Sequence, residues 1–379
     1  MEAMDRLSSH LKMRLAELGR AKEEGSKIIG YMPGGYLPEE LVLASGAIPV
    51  CLIRGGDYSA VELAGAYICR WIDTFCRAQI GYGISGDDPY YSIVDLLAIP
   101  ITDNHIRAVS DILAYHTNID IFPFGVPHMK EESSFSYYLH GINRLKAKLE
   151  EVTGAEIDMT RLTQAMSLCN RERKLLKEIS LMRKAEAVPI RSKDFIALNH
   201  GSLLADKGVM VEILESVRSE LKEQAFALPK GPRILLTGST LAMGDYRILD
   251  MIEEAGGVVV VEEFAEGIRP YWEMVNPNGD LMKALADCYF MHRVPPAWFR
   301  PGKERHDFLI ELAKSFNADG VIWYQLMYRE SYKLESYYFP DRLKSETGLP
   351  MLTVESDYDL SEAGQLRTRV ETFIETLRR

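Results

Sequence analysis

The sequence has 379 residues, 47% of them hydrophobic and 26% charged, and a formal net charge of -11. Such a length favours two hydrophobic cores of ordinary size over one. The acidic balance argues against nucleic acid and anionic membrane surfaces as general partners, because both select a basic face.

No apolar run approaches a membrane span, and Met1 to Lys12 lack the apolar centre of a secretory signal. Cys51, Cys69, Cys76, Cys169 and Cys288 are odd in number and irregularly spaced, without a CxxC pair. That usage fits a reducing compartment rather than a disulfide framework, so a cytoplasmic protein is expected.

Leu7, Leu11, Leu15 and Leu18 fall at helical spacing and predict an amphipathic helix over Asp5 to Lys22, the body of an N-terminal unit, residues 1–25. Lys27 to Met32 is a β-branched apolar run stopped by Pro33-Gly34-Gly35, the first predicted strand. A helix opens after Pro38, with Glu39 and Glu40 at the positive end of its dipole, and closes at Gly46 before a second strand, Ile48 to Ile53. A helix starting near Gly65 carries Cys69 and Cys76, seven residues apart and therefore near one face after two turns. Ile93 to Ile101 is nearly all apolar, as expected of a third strand covered by helices on both faces. A helix from His105 to Tyr115 leads to a fourth strand, Ile119 to Phe124, which completes a first α/β domain over residues 26–132.

Ser133 to Phe226 is helical in pattern and without a strand, and is taken as a helical connection, residues 133–228, in which Cys169 and His200 are structural. Strands return at Arg233 to Thr237, Val258 to Val261, Gly320 to Leu326 and Met351 to Val354, marking a second α/β domain over residues 229–379. Glu39 to Val50 parallels Tyr246 to Val259 in running from helix through small residues and glycine into a strand. The expected architecture is therefore α/β, with two Rossmann-like or flavodoxin-like four-stranded parallel sheets joined by a helical segment and facing each other across a cleft.

Ligands collect outside the carboxyl ends of parallel strands, so the strand-exit loops are where chemistry is expected. The substrate-cleft candidates there are Gly34, Gly35, Tyr36, Asn104, Gly238, Ser239, Arg269 and Glu330. Thr237-Gly238-Ser239 lacks the lysine of a phosphate loop and the spacing of a dinucleotide fingerprint. No histidine pair has metal-ligand spacing and no Gx-Ser-xG elbow occurs, which leaves zinc and serine-hydrolase chemistry without a carrier.

Ile29-Gly-Tyr-Met-Pro33, Leu37-Pro-Glu-Glu-Leu41 and Ala44-Ser-Gly-Ala-Ile-Pro49 are followed late in the chain by Ala318-Asp-Gly-Val-Ile322, Gly348-Leu-Pro350, Glu355-Ser-Asp357 and Gly364-Gln-Leu-Arg-Thr-Arg369 before Phe373. In this order they resemble the smaller, D-component type subunit of the 2-hydroxyacyl-CoA dehydratase and benzoyl-CoA reductase family over nearly the whole chain. The resemblance implies a heterodimer with a homologous larger subunit, acting on an acyl-CoA thioester through a 4Fe-4S cluster. It also implies a separate ATP-dependent iron–sulfur activator that supplies one electron at low potential. The chemistry requires it, because a thioester carbonyl must become a ketyl radical anion before an unactivated hydroxyl leaves or an aromatic ring is reduced.

By the same resemblance Cys76 stands at the first cluster-cysteine position, whereas Asp103 and Arg329 stand at the second and third. Ala265 occupies a turn where some relatives carry another cysteine. An arginine offers iron no lone pair. Asp103 and Arg329 are expected to face each other at two strand ends and to form an ion pair where relatives hold the cluster, with Cys69 the one additional thiol available. Arg54, Arg269, Arg293, Arg300 and Lys303 are the candidates for a CoA-like polyanion, since cationic side chains match phosphate oxygens.

The function expected is a subunit of a dehydratase or reductase of this type, with the intact cluster in the partner subunit. A cluster-less member serving as structural partner or acyl-CoA-binding protein is the non-enzymatic alternative. A double-cubane-type ATP-dependent reductase is a further one, and it calls for more cysteines than this chain has.

Overall fold

The computed structural model describes residues 1–223, 228–361 and 363–378. Each half builds one four-stranded, all-parallel sheet. In the first, β1 (Ile28–Tyr31), β2 (Ile48–Cys51), β3 (Leu96–Ile101) and β4 (Ile121–Gly125) lie in the order β2-β1-β3-β4. In the second, β5 (Arg233–Gly238), β6 (Val258–Glu263), β7 (Gly320–Leu326) and β8 (Met351–Ser356) lie in the order β6-β5-β7-β8. This shared order is the flavodoxin-like one, with a topological switch point beside the first strand of each half.

The inner strands are buried along their length, β1 and β7 at every residue, because helices cover both faces and leave no polar alternation. The helices Glu39–Ala44 and Arg247–Glu254 end in the same way, each followed by a glycine in the left-handed region, Gly46 at φ +82 and Gly256 at φ +79. A side chain there would be strained, so glycine permits the turn back into β2 and β6. The parallel seen between the two halves in sequence is thus a parallel in backbone path.

Two expectations are corrected. Ile93 does not belong to β3: Asp88 caps and Pro89 opens a short helix, Pro89–Ile93, and the strand starts at Leu96. Nor do Cys69 and Cys76 share a helix. The helix Tyr58–Ala64 stops at Gly65, and Asp73 begins another, Thr74–Ser85, by accepting the Cys76 amide at 3.0 Å. Cys69 is exposed in the intervening turn while Cys76 is fully buried. Helical spacing brings residues to one face only in an unbroken helix, and the segment after Gly65 breaks it.

Between the halves run the helices Glu132–Thr153, Met159–Met182, Ser192–Ser202 and Lys207–Glu223, with no strand among the described residues. Phe226, the expected end of this stretch, lies outside them. The leading helix Glu2–Glu23 packs on the last two through buried Ala3 and Leu7, while Leu18 joins the core of the first half, and its Arg14 Nε donates to Leu204 O at 2.9 Å.

Charged pairs are buried inside this helical layer. Lys207 lies 2.9 Å from Glu39 and 2.8 Å from Glu172, Arg173 lies 2.7 Å from Glu40, and Arg183 meets Glu262 in a two-pronged contact at 2.5 and 2.7 Å. Glu39 and Glu40 belong to the first half and Glu262 to the second, so the layer is keyed to both by charge. Removing one member would strand its partner in a dry interior, at a cost of about 3–5 kcal/mol.

Backbone also passes directly between the halves. Gly55 N donates to Met243 O at 2.9 Å and Met243 N to Ile53 O at 3.0 Å, while Arg300 N donates to His128 O at 2.7 Å. Among the described residues no helix is long and apolar enough to cross a membrane.

Candidate functional site

The exits of β3 and β7 meet across the cleft. Asp103 starts the helix Asn104–His116 by accepting the amides of His105 at 2.8 Å and Ile106 at 3.2 Å. Arg329 precedes the helix Glu330–Thr347, and the residue before it, Tyr328, is held at φ +70. That conformation is unfavourable for a bulky side chain and marks a turn bent by its surroundings. Arg329 Nη1 reaches Asp103 Oδ1 at 3.0 Å and Asp73 Oδ2 at 3.4 Å. The same Asp73 oxygen lies 2.7 Å from His105 Nδ1, and His105 Nε2 faces Glu330 Oε2 at 3.8 Å.

Asp73 is fully buried, which alone would raise its pKa, yet Arg329, His105 and the Cys76 amide hold the carboxyl well below the ordinary range. Cys76 behaves oppositely. Burial pushes its thiol well up, Asp73 adds to the effect, and Arg329 only partly opposes it. The one expected cluster thiol is therefore held as a neutral SH.

Behind this ion pair, Pro33, Gly34, Tyr36, Ser239, Glu266 and Trp298 are among the residues around a cavity of about 30 Å³, with Arg269, Arg329 and Tyr332 also on its wall. A second cavity of the same size lies on the other side of Gly34, toward Cys51, Arg173 and Tyr289. Glu266 is 2% exposed, and burial pushes its carboxyl up to about 7 against the opposing amides of Glu266 and Leu241 and the cations Arg269 and Arg329.

The expected site residues are dispersed unevenly. Gly34, Tyr36, Ser239, Arg269 and Arg329 come together on the cavity wall. Gly35 lines the neighbouring cavity, where a Cβ would stand 2.6 Å from Arg293 Nη1. Gly238 answers a packing demand instead, since a Cβ there would sit 1.5 Å from the Tyr324 carbonyl oxygen. Asn104 and Glu330 are exposed at the first turns of their helices. Cys69 is exposed and apart from Cys76.

Of the five cations considered for phosphate, Arg269 is committed to Glu263 at 2.7 Å and Arg293 lies buried over the Tyr289 ring. Arg300 and Lys303 are exposed, and Arg54 pairs with Asp57 at 2.6 Å. Sequence reasoning missed Asp73, Glu266 and Trp298. Glu266 had one visible signal, a lone carboxylate inside the small-residue turn Ala265-Glu266-Gly267 after an all-valine strand start.

The donor set does not fit an iron–sulfur cluster. Cys76 offers one thiol, the facing positions hold a carboxylate and a guanidinium already paired to each other, and the guanidinium has no lone pair to give iron. Among the described residues no group of three or more histidine, cysteine, aspartate or glutamate side chains has metal-binding geometry.

A pair of four-stranded parallel sheets meeting at their strand exits places the chain among two-domain α/β proteins of flavodoxin-like topology. The sequence profile described as 2-hydroxyglutaryl-CoA dehydratase, D-component, matches residues 35–377, and the chain belongs to this family. It is 27% identical to the putative dehydratase subunit YjiM of Escherichia coli strain K12, covering 94% of this chain and 93% of that one. It is 24% identical to the (R)-phenyllactyl-CoA dehydratase beta subunit of Clostridium sporogenes, with 94% and 93% covered. Similarity to one of the benzoyl-CoA reductase subunits of Thauera aromatica is 23% identity over 98% of this chain and 96% of the other.

Proposed function

We propose that this chain is a cluster-deficient subunit of a 2-hydroxyacyl-CoA dehydratase or benzoyl-CoA reductase-type system, paired with a homologous larger subunit that carries the intact 4Fe-4S cluster. An ATP-dependent iron–sulfur activator supplies the electron, and the substrate is an acyl-CoA thioester. The observation that carries this reading is the triad Asp73–Arg329–Asp103, which occupies the meeting point of the two strand exits while the fold and cleft stay intact. Similarity to proteins named as subunits supports a partner chain.

The division of labour follows from charge. A guanidinium held between two carboxylates ties the strand exits together where thiolates would be needed, and leaves electron transfer to the partner. Anaerobic purification tests it through iron and sulfide content, first of this chain alone and then of the chain co-produced with a cysteine-complete relative. A colourless chain that forms a brown stoichiometric complex is the expected result. Near-stoichiometric cluster on the isolated chain overturns the proposal.

A second reading, a cluster-less structural partner or acyl-CoA-binding protein, is favoured by how fully the triad fills the place of a redox centre. Absence of any brown complex selects it.

A further inference from the structure

Seven glutamates are buried in the described residues, and six of them pair with a cation: Glu39 and Glu172 with Lys207, Glu40 with Arg173, Glu262 with Arg183, and Glu263 and Glu335 with Arg305. Glu266 is the exception. Its carboxyl accepts one long contact from Leu241 N, at 3.4 Å, and no side chain among the described residues pairs with it. The turn bearing it is rigid, because Asn199 Nδ2 donates to the carbonyls of both Glu266 and Gly267, and Ile268 N returns to Glu262 O at 3.2 Å.

The same cavity wall holds two unsatisfied donors. Trp298 Nε1 and Arg329 Nε are both buried donors without an acceptor. Orphaned buried donors cost free energy that a ligand acceptor recovers, so they mark what the cavity takes. A carboxyl that keeps its proton is a third donor, as in apolar sites where a neutral acid binds a carbonyl oxygen.

The charge balance selects the acceptor. Arg329 already faces Asp73 and Asp103, and Arg269 and Arg305 are balanced by Glu263 and Glu335, so an incoming anion would meet net negative charge. An uncharged oxygen avoids this. The cavity volume of about 30 Å³ suits a group of one or two heavy atoms.

We propose that this cavity is a carbonyl-binding site of the chain's own, in which the protonated Glu266 carboxyl donates a hydrogen bond to the thioester oxygen of a bound acyl-CoA. The assignment rests on the acyl-CoA part of the proposed function but not on any cluster. Arg269, Arg329 and Cys51 are the titratable groups that face Glu266, the last a thiol held neutral by burial.

The test is calorimetric titration of the full chain with acetyl-CoA and with its S-ethyl thioether analogue, in which a methylene replaces the carbonyl. Wild type is expected to prefer the thioester about tenfold at about pH 6, the worth of one good hydrogen bond. The preference should fade by about pH 8.5, when the acid ionises and turns a lone pair toward the carbonyl. Glu266→Gln, whose amide still donates, keeps the preference at both pH values, and Glu266→Ala loses it. Equal affinity of wild type for the two ligands at the lower pH overturns the carbonyl site while leaving acyl-CoA binding in place. Failure of both ligands to bind overturns acyl-CoA recognition and this site together. Should the alanine variant not fold, the glutamine variant and the pH comparison still decide.

Discussion

Arg329 Nη1 lies 3.0 Å from Asp103 Oδ1, a bond between residues 226 positions apart that joins the exit of β7 to the exit of β3. With Asp73 on its other side, a single guanidinium serves two carboxylates of the opposite half.

Replacing Arg329 with methionine therefore leaves two acids facing each other in a buried place. A loss of about 3–5 kcal/mol in urea unfolding is expected, and Asp103→Asn in the same chain should restore part of it. Because Asp73 is held below its ordinary range, the stabilisation is complete above about pH 4 and disappears as pH falls. The acid limb of the stability profile should be shallower in the variant. A loss under about 1 kcal/mol would mean that solvent screens the triad.

Asp103→Cys with Arg329→Cys adds two thiols to Cys76, making three where the native chain has one. After anaerobic reconstitution the double variant should take up iron and sulfide with a visible cluster spectrum, and wild type should stay colourless. Equal uptake by both would show that the two positions do not govern ligation.

Glu266 bears on stability as well as binding. Its carboxyl is raised to about 7, so the folded state holds a proton that the unfolded chain releases near pH 4.5. Stability is full below that lower value and declines as pH rises through about 7, by about 3 kcal/mol in total. Glu266→Gln removes this slope, and unfolding midpoints between about pH 5 and pH 8 would reveal an unchanged slope if the acid were ionised throughout.

Thiol labelling separates the cysteines. Cys69 is exposed and Cys51, Cys76, Cys169 and Cys288 are buried, so native protein should react at Cys69 alone and denatured protein at every cysteine. Rapid labelling of Cys76 in the native state would contradict the closed cleft.

Much of the architecture is written in local pattern. The β1 and β7 runs are apolar on both faces, and the glycines at 46 and 256 stop equivalent helices in the two halves. The Asp103–Arg329 contact was legible through the family resemblance, which set both residues at positions where relatives hold one cluster. Asp73 and Glu266 were not legible. Their character comes from their surroundings in space, Arg329 for one and burial without a paired side chain for the other, and no spacing rule encodes such surroundings. The Cys69–Cys76 pairing failed for a nearer cause, a helix broken after Gly65.

The backbone hydrogen bonds at Ile53–Gly55 with Met243, and at His128 with Arg300, fasten the two halves at two separate points. The helical layer adds buried ion pairs to each half, Lys207–Glu39 to the first and Arg183–Glu262 to the second, and the Arg329–Asp103 bond closes the rim between the strand exits. The halves are therefore braced along several edges. Parting the two strand exits breaks the guanidinium's contact with both carboxylates, so the enclosed space and that contact stand or fall together.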